Sequence, residues 1–558
     1  MDVYTPHNHQ PGIRGTLRFL CCIALVFMQP CVHAQTGPVS YHIPSKASEG
    51  FTDATIGDIT LNIGGIFDLE NPEEDKLFYQ LVNKLHMNTR PHVIQQQLLF
   101  ATGDRFSAQA LQESERLLRK NRYIQEAEIE AFPRTDGVVD INVNTNDTWT
   151  LVPKLTFSHK GGKSTSGIGA REMNLFGRGI GIEALYRSDI DRDSKVLKIV
   201  DHHVGNSWYR FRSIFEDNSD GYTRQVEFGK PFYSLNSTSM HGISVSDSRR
   251  IDSIYERGEI AAQYDHLARN YEIHTGWSGG LSDGWSRRIT LGLAYDERRF
   301  SALESAPGPS IPLPADRKLL YPFIGYELVQ DKFEEAKNFD QIGRTEDRFL
   351  GTSFNSRLGL AGAGMGSDRG AVLLDAGART SITYGQKSLL ALSTDFNTRY
   401  EGDEFRNLAL AVDAKFYKRQ SENRLLYARL NATYGRNLDL EQPLYLGGDN
   451  GLRGYPLRYQ VGDRRALLTI EQRYYTDWYP LRLFRVGAAV FFDAGQTWGD
   501  GPLGTGSDGL LRDVGAGLRL GQTRSGLGRV IHIDVAYPLD AKDNISSVQF
   551  LVELKQSF

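Results

Sequence analysis

The chain holds 558 residues, with 64 Lys and Arg set against 68 Asp and Glu for a formal net charge of −4. That balance, with the basic residues scattered rather than clustered, argues against nucleic acid as a partner. The length exceeds one ordinary domain, yet a single large barrel with one appended domain accounts for it.

Arg14 and Arg18 precede the apolar run Phe19 to Met28, and Val32-His33-Ala34 offers small residues at the spacing of a cleavage site. Residues 1–34 therefore read as a secretory signal peptide. Cys21, Cys22 and Cys31 all fall inside it, so the exported chain is expected to fold without a disulfide. After residue 34 no apolar run approaches the roughly 18 residues of a membrane helix. Either the protein is soluble and secreted, or its membrane part is made of strands.

Residues 35–55, with Gly37, Pro38, Pro44, Ser45, Ser48 and Gly50, read as a flexible linker. From 56 to 149 the pattern is that of a small α+β module. Ile56, Ile59, Leu61 and Ile63 suggest a first strand. Leu77, Leu81 and Leu85 share one face of a helix entered through Asn71-Pro72. A second helix opens near Thr89 with Pro91 in its first turn and is expected to stop before Gly103. Ser107 is placed to cap a third, whose Leu111, Leu117 and Leu118 would face a sheet. Two strands of alternating pattern, around Ala127-Ile129-Ala131 and Val139-Ile141-Val143, close the unit.

After Trp149 the helical period ends. Segments of about ten residues alternate apolar and polar positions, the length a tilted strand needs to cross hydrocarbon. Leu408, Leu410, Val412, Ala414 and Phe416 share one face. Ile531, Ile533 and Val535 oppose His532, Asp534 and Ala536. Residues 150–558 are therefore expected to form a transmembrane antiparallel β-barrel, since only a closed sheet satisfies every backbone group in lipid. The strands count to near twenty, and the number is even if both termini lie on one side. A soluble β-sandwich also alternates, but with shorter strands and its apolar face inward.

Residues 446–455, Leu-Gly-Gly-Asp-Asn-Gly-Leu-Arg-Gly-Tyr, place four glycines around one arginine. The alternation Leu468, Ile470 puts Glu471 and Arg473 in the lumen, and Val486, Ala488, Val490, Phe492 puts Asp493 there too. A loop arginine folded inward would meet both carboxylates, which suit its planar fork. The alternative is that lumenal charges only line a wet interior.

The sequence Leu452-Arg453-Gly454-Tyr455 resembles the arginine-glycine-aromatic motif of the sixth extracellular loop in the outer membrane protein 85 superfamily, which includes BamA, TamA and the two-partner secretion transporters. Phe491-Phe492-Asp493-Ala494-Gly495 is similar to its downstream aromatic, aspartate and glycine motif, and Asn174-Leu175-Phe176-Gly177-Arg178-Gly179 to its early turn. The order of the first module, with Thr102 to Phe106 and Asp147-Thr148-Trp149, resembles a POTRA domain; the helix near 73–86 is extra to that pattern. The terminal run from Val548 to Phe558 resembles a β-signal. The resemblance implies 16 barrel strands and a loop-six lock of Arg453, Gly454 and Tyr455 against Asp493 and Glu471. It also implies a seam between first and last strands, carrying Pro153 and Phe558, that opens to admit substrate strands. Pro153 either weakens that seam or marks the entry to its strand.

By the same resemblance the protein is an outer-membrane assembly or translocation factor, its first module in the periplasm and its barrel monomeric. Its partners would be an unfolded outer-membrane or secreted client, outer-membrane lipid, and periplasmic accessory proteins. The alternatives are a dedicated two-partner-type secretion transporter and a passive porin-like channel. Enzymatic readings do poorly: Gly280-Leu281-Ser282-Asp283-Gly284 has the spacing of a nucleophile elbow but lies between candidate strands. Gly515-Ala516-Gly517 has no helix after it, and His202-His203 has no ligand cluster beside it. No catalytic residue, metal or cofactor is expected.

Overall fold

The computed structural model describes residues 53–134, 136–303, 313–385, 387–504, 509–526, 530–542 and 545–555. The expected signal peptide, nearly all of the linker, and Phe558 lie outside these residues. Two bodies follow one another along the chain.

The first is a three-stranded sheet covered by helices. Strand Thr55–Gly64 runs parallel to Val138–Asp147, which pairs antiparallel with Ile124–Pro133 on its other side. Helix Ala108–Lys120 starts where Ser107 Oγ accepts from the Ala110 backbone N–H at 3.2 Å. It packs Leu111 and Leu118 on the sheet, in one core with Ile56, Val93, Ile94, Ile124, Ile141 and Val143. Helix Pro91–Gln95 is shorter than the sequence suggests. Helix Leu77–Leu85 has the shared leucine face, and that face is the outer one. Its buried side is Tyr79, while Leu77, Leu81 and Leu85 are 83%, 51% and 68% exposed.

The second body is a closed antiparallel barrel of 20 strands among the described residues, from Val152–Lys160 to Gln549–Lys555. This corrects the 16 strands that the resemblance implies. Its motifs sit at one early turn and in the strands after residue 440, so they carry no information on how many hairpins lie between. Residues 152–230 alone supply six strands of nine or ten residues with short turns. Two further pairs stand outside the barrel ladder: Phe333–Lys337 with Thr345–Phe349, and Leu444–Leu446 with Gln460–Gly462. Alternation sorts the wall as period two demands. Leu155, Phe157, Ile168, Ile273, Val490 and Val535 face outward, while Arg473, Asp493, Asp513, Arg519, His532 and Asp534 are buried inside.

The early turn joins the two bodies. Arg90 N–H donates to the Gly177 carbonyl at 2.9 Å, Arg90 Nε donates to the Phe176 carbonyl at 2.9 Å, and Asn174 Nδ2 donates to Thr89 Oγ1 at 2.8 Å. Gly177 has φ +69° and a Cβ there would stand 2.4 Å from the Asn88 carbonyl oxygen. Gly179 supplies φ +73° against Tyr123. Both positions require glycine for backbone shape and, at Gly177, for clearance. Asp147, fully buried, accepts from the Thr89 N–H at 2.7 Å and its hydroxyl at 2.8 Å, fixing the module beside that turn.

Candidate functional site

The connection between strands Arg424–Arg436 and Arg464–Tyr475 folds into the lumen from the barrel end remote from the first module. Its neck is the short ladder Leu444–Leu446 with Gln460–Gly462. Beyond the neck the glycines let the chain double back on itself: Gly448 N–H donates to the Pro456 carbonyl at 2.9 Å. Added Cβ atoms at Gly447 and Gly448 would meet backbone oxygens of Pro456 and Tyr455 at 2.4 and 2.5 Å. Leu446, Leu452, Tyr455 and Tyr459 bury against Leu467, Leu511 and Ile545, so an apolar collar holds the loop in.

Arg453, 4% exposed, reaches the wall inside that collar. Its Nε and Nη2 donate to the two oxygens of Asp493 at 2.7 and 3.0 Å, and Nη1 donates to Glu471 Oε1 at 2.8 Å. Asp534 lies 3.7 Å from Nη1, and the guanidinium stacks 3.4 Å from the Phe491 ring centre. A bidentate fork and a second carboxylate take three of the guanidinium's five N–H donors, and the Phe491 ring covers its plane. Tyr455 is fixed separately, its hydroxyl donating to the Arg512 carbonyl at 2.9 Å. Gly454 N–H donates to Asp513 Oδ2 at 2.9 Å, and a Cβ on Gly454 would lie 2.7 Å from Asp513 Cβ. Gly454→Ala is therefore expected to cost about 1–3 kcal/mol through overpacking. The check is a lower temperature of the unfolding mobility shift of the refolded barrel, with Gly448→Ala behaving alike.

Several residues of the site were not anticipated from sequence. Asp513 is the direct cross-strand neighbour of Asp493, and alternation along Leu511–Gln522 could have placed it inside. Asp534 is held by Arg519, and Arg473 Nε donates to Glu471 Oε2 at 3.0 Å, so the carboxylates around Arg453 are shared with wall arginines. Arg458, five positions past Arg453, carries no local signal of its role. Its Nη1 and Nη2 meet Asp191 at 3.3 and 3.0 Å, and it stacks 4.4 Å from the Tyr255 ring centre. Tyr255 in turn donates to Asp191 at 2.8 Å. One loop is thus clamped to late strands by Arg453 and to early strands by Arg458. Between them Pro456 and Leu457 pack on Gly161, the first hairpin turn, which has φ +55°.

A second insertion enters from the opposite end. Hairpin Phe333–Lys337 with Thr345–Phe349 carries Ile342, 4% exposed among Leu389, Tyr417, Leu425, Tyr427 and Tyr475. The Phe339 carbonyl accepts from Arg473 Nη1 at 2.9 Å, and Tyr417 donates to Asp340 at 3.0 Å. The same hairpin grips the first module. Asp347 takes Arg119 at 2.6 and 3.0 Å, Arg344 Nη2 donates to the Ile124 carbonyl at 3.0 Å, and Thr345 Oγ1 donates to Glu126 at 2.6 Å. A continuous path of contacts therefore runs from helix Ala108–Lys120 through the hairpin and Arg473 to Glu471 and Arg453.

At that junction burial pushes the Glu115 carboxyl up to about 7, opposed by the Ile129 N–H that it accepts at 2.6 Å and by nearby Arg119. A carboxyl raised in the folded state loses stability as pH climbs from its unfolded value of 4.5 through 7. Glu115→Gln keeps the acceptor and removes the charge. It should raise the module's stability by about 1–3 kcal/mol at pH 8 and leave it unchanged near pH 4, read from denaturant midpoints at both values.

The closing joint is sparse. Among the described residues the first and last strands pair at Val552 with His159, whereas the neighbouring joints pair at seven and nine positions. Pro153 lies inside the first strand opposite Ala170, with its side chain exposed. That strand is held from within the barrel by Lys154, which with Arg171 pairs with Glu183. Ser282 and Asp283 occupy a hairpin turn between Glu259–Ser282 and Trp285–Ala302. Among the described residues no group of three or more His, Cys, Asp or Glu could hold a metal ion.

Comparison with known proteins finds distant likenesses of shape. BamA from Haemophilus ducreyi lacking POTRA domains 1–3 aligns over 89% of this chain and 84% of its own, at 13% identity and a TM-score of 0.38. CdiB from Escherichia coli aligns over 90% and 76%, at 14% identity and 0.44. CdiB from Acinetobacter baumannii aligns over 91% and 74%, at 14% identity and 0.40. No curated protein matches the sequence. Residues 385–558, which hold the infolded loop, Arg453 and both carboxylates that it grips, match the Omp85 superfamily domain.

Proposed function

We propose that the protein is an outer-membrane factor that inserts or exports client proteins without making or breaking a bond. In this reading residues 56–149 are a periplasmic POTRA-like domain that receives the client and 150–558 are the barrel that passes it on. The observation that carries the proposal is the seam between strands Val152–Lys160 and Gln549–Lys555, which among the described residues pair at one position while every other joint of the wall pairs at seven or more. A sparsely paired joint between two adjoining strands is a template for an incoming strand. The client would first add to the edge strand Thr55–Gly64 of the amino-terminal sheet, since at the other edge Glu115, Arg119 and Arg344 take backbone groups of Ile129, Ala127 and Ile124.

The loop tied by Arg453 and Arg458 spans the lumen from late to early strands, so the wall can part at the seam while the loop keeps the two sides in register. The occupied lumen favours exit through the seam, which is insertion, over passage through the pore. It also disfavours a passive channel. His159→Cys with Val552→Cys, oxidised to lock the seam, should stop client processing, and reductant should restore it. Processing that continues with the seam locked overturns the proposal. Pro153→Val should make the seam harder to open in the same trapping assay; an unchanged trapping rate would leave Pro153 as the entry to its strand.

A further inference from the structure

We infer that helix Leu77–Leu85 is an interfacial anchor that lays its apolar stripe on the periplasmic leaflet of the membrane the barrel spans. The helix is two-faced. Tyr79, Val82, Asn83 and His86 point inward, where Tyr79 packs with Ile66 and Phe67 and His86 lies 3.1 Å from Asp147. On the other side Leu77, Phe78, Leu81 and Leu85 are 83%, 58%, 51% and 68% exposed, and Met87 just beyond is 52% exposed. At 3.6 residues per turn these four helix positions fall within a stripe about 100° wide, the width by which a surface helix ordinarily buries itself against a core. Nothing among the described residues covers it, and a contiguous patch of this kind marks an interaction surface.

The neighbourhood identifies lipid as the occupant. The inner face of the helix rests on the turn between strands Arg464–Tyr475 and Phe484–Trp498: Leu483 packs with Ile66, Phe67 and Tyr79, and Arg482 pairs with Glu73. That turn exposes Trp478 at 51% and Leu481 at 69%, and Tyr474 precedes it on the outward face of the wall. Tryptophan and tyrosine at the end of a lipid-facing strand mark the water interface of a bilayer. The helix is seated on this same interfacial turn through Tyr79 and Leu483. Lys76 and Lys84, both exposed at the two ends of the helix, suit a headgroup layer that carries anionic lipid. An anchor there would hold the first module against the leaflet, on the side of the barrel formed by its late strands.

The inference rests on the barrel standing in a bilayer, and the test separates the two. The exported chain is reconstituted into phosphatidylethanolamine–phosphatidylglycerol vesicles with one nitroxide, on Leu81→Cys, on Val490→Cys of the outward wall, or on Gln112→Cys, an exposed position of the third helix. At 81, as at 490, relaxation by oxygen should exceed relaxation by a water-soluble nickel complex several-fold, with the reverse at 112. Leu77→Glu with Leu85→Glu should abolish the oxygen preference at 81 without changing the barrel's heat-shifted mobility. Nickel dominance at 81, exclusion of both reagents as under a client segment or a second copy, or an oxygen preference that survives the double substitution overturns the anchor. If the label at 490 also reports water, the membrane reading itself fails and the anchor falls with it.

Discussion

Arg453→Ala is expected to destabilise the barrel by about 3–5 kcal/mol, because truncation strands carboxylates that are out of water. Asp493 is fully buried and Glu471 is 5% exposed. Both oxygens of Asp493 are taken by Arg453, while Glu471 keeps Arg473 as a second partner. The larger penalty therefore falls on Asp493, and Asp493→Asn in the Arg453→Ala background should recover part of the loss. Arg453→Lys should recover less than half, since an ammonium is a point charge that cannot bridge two carboxylates and stack on Phe491 as a guanidinium does. The two single substitutions should combine with less than additive cost, as groups in one contact do. The measurement is the temperature at which the refolded barrel loses its compact electrophoretic mobility, with client processing read in parallel. Unchanged stability and processing in both Arg453→Ala and Asp493→Ala would return Arg453 to an ordinary loop charge.

Replacing the hairpin Phe333–Phe349 by a short turn is expected to open the pore. The hairpin seats Ile342 in an aromatic cluster at the module's end of the lumen and occupies Arg473 through the Phe339 carbonyl. Its removal also releases Arg119, which donates to Glu335 and Asp347 and otherwise ties the third helix to the barrel. In planar bilayers the intact protein should show low, unsteady conductance, and the variant a steady conductance several-fold larger with looser attachment of the first module to limited proteolysis. Equal and steady conductance from both would mean that the hairpin does not obstruct the lumen, and would revive the porin-like reading.

What could be read from the chain follows from what period two encodes. Alternation assigns a face, so it puts Glu471 and Asp493 on the lumenal side, and the glycines around Arg453 mark backbone that must turn tightly. Alternation does not encode which loops fold inward. Glu334, Ala336, Glu346 and Arg348 read like any polar hairpin, and only the closed wall makes a lumen for it to enter. Pairings between distant parts of the chain are equally silent: Arg458 and Asp191 are brought together by closure of the barrel, not by local sequence. The helix at 77–85 shows the converse. Its leucine spacing gives an amphipathic helix, yet a spacing of four cannot say whether the apolar face meets a core or a bilayer. Strand number is also beyond the motifs, because each hairpin adds two strands without touching the loop, the seam or the early turn.

Insertion or export of clients is tested most directly by depleting the protein in its native cell and quantifying outer-membrane and secreted proteins against an undepleted control. Loss of many barrel proteins from the outer membrane is the result expected of an insertion factor with an openable seam, and loss of a single secreted product that of a dedicated exporter. Restoration should require residues 56–149, Arg453 and an unlocked seam together. An unchanged set of outer-membrane and secreted proteins would contradict both roles and leave the barrel without a client.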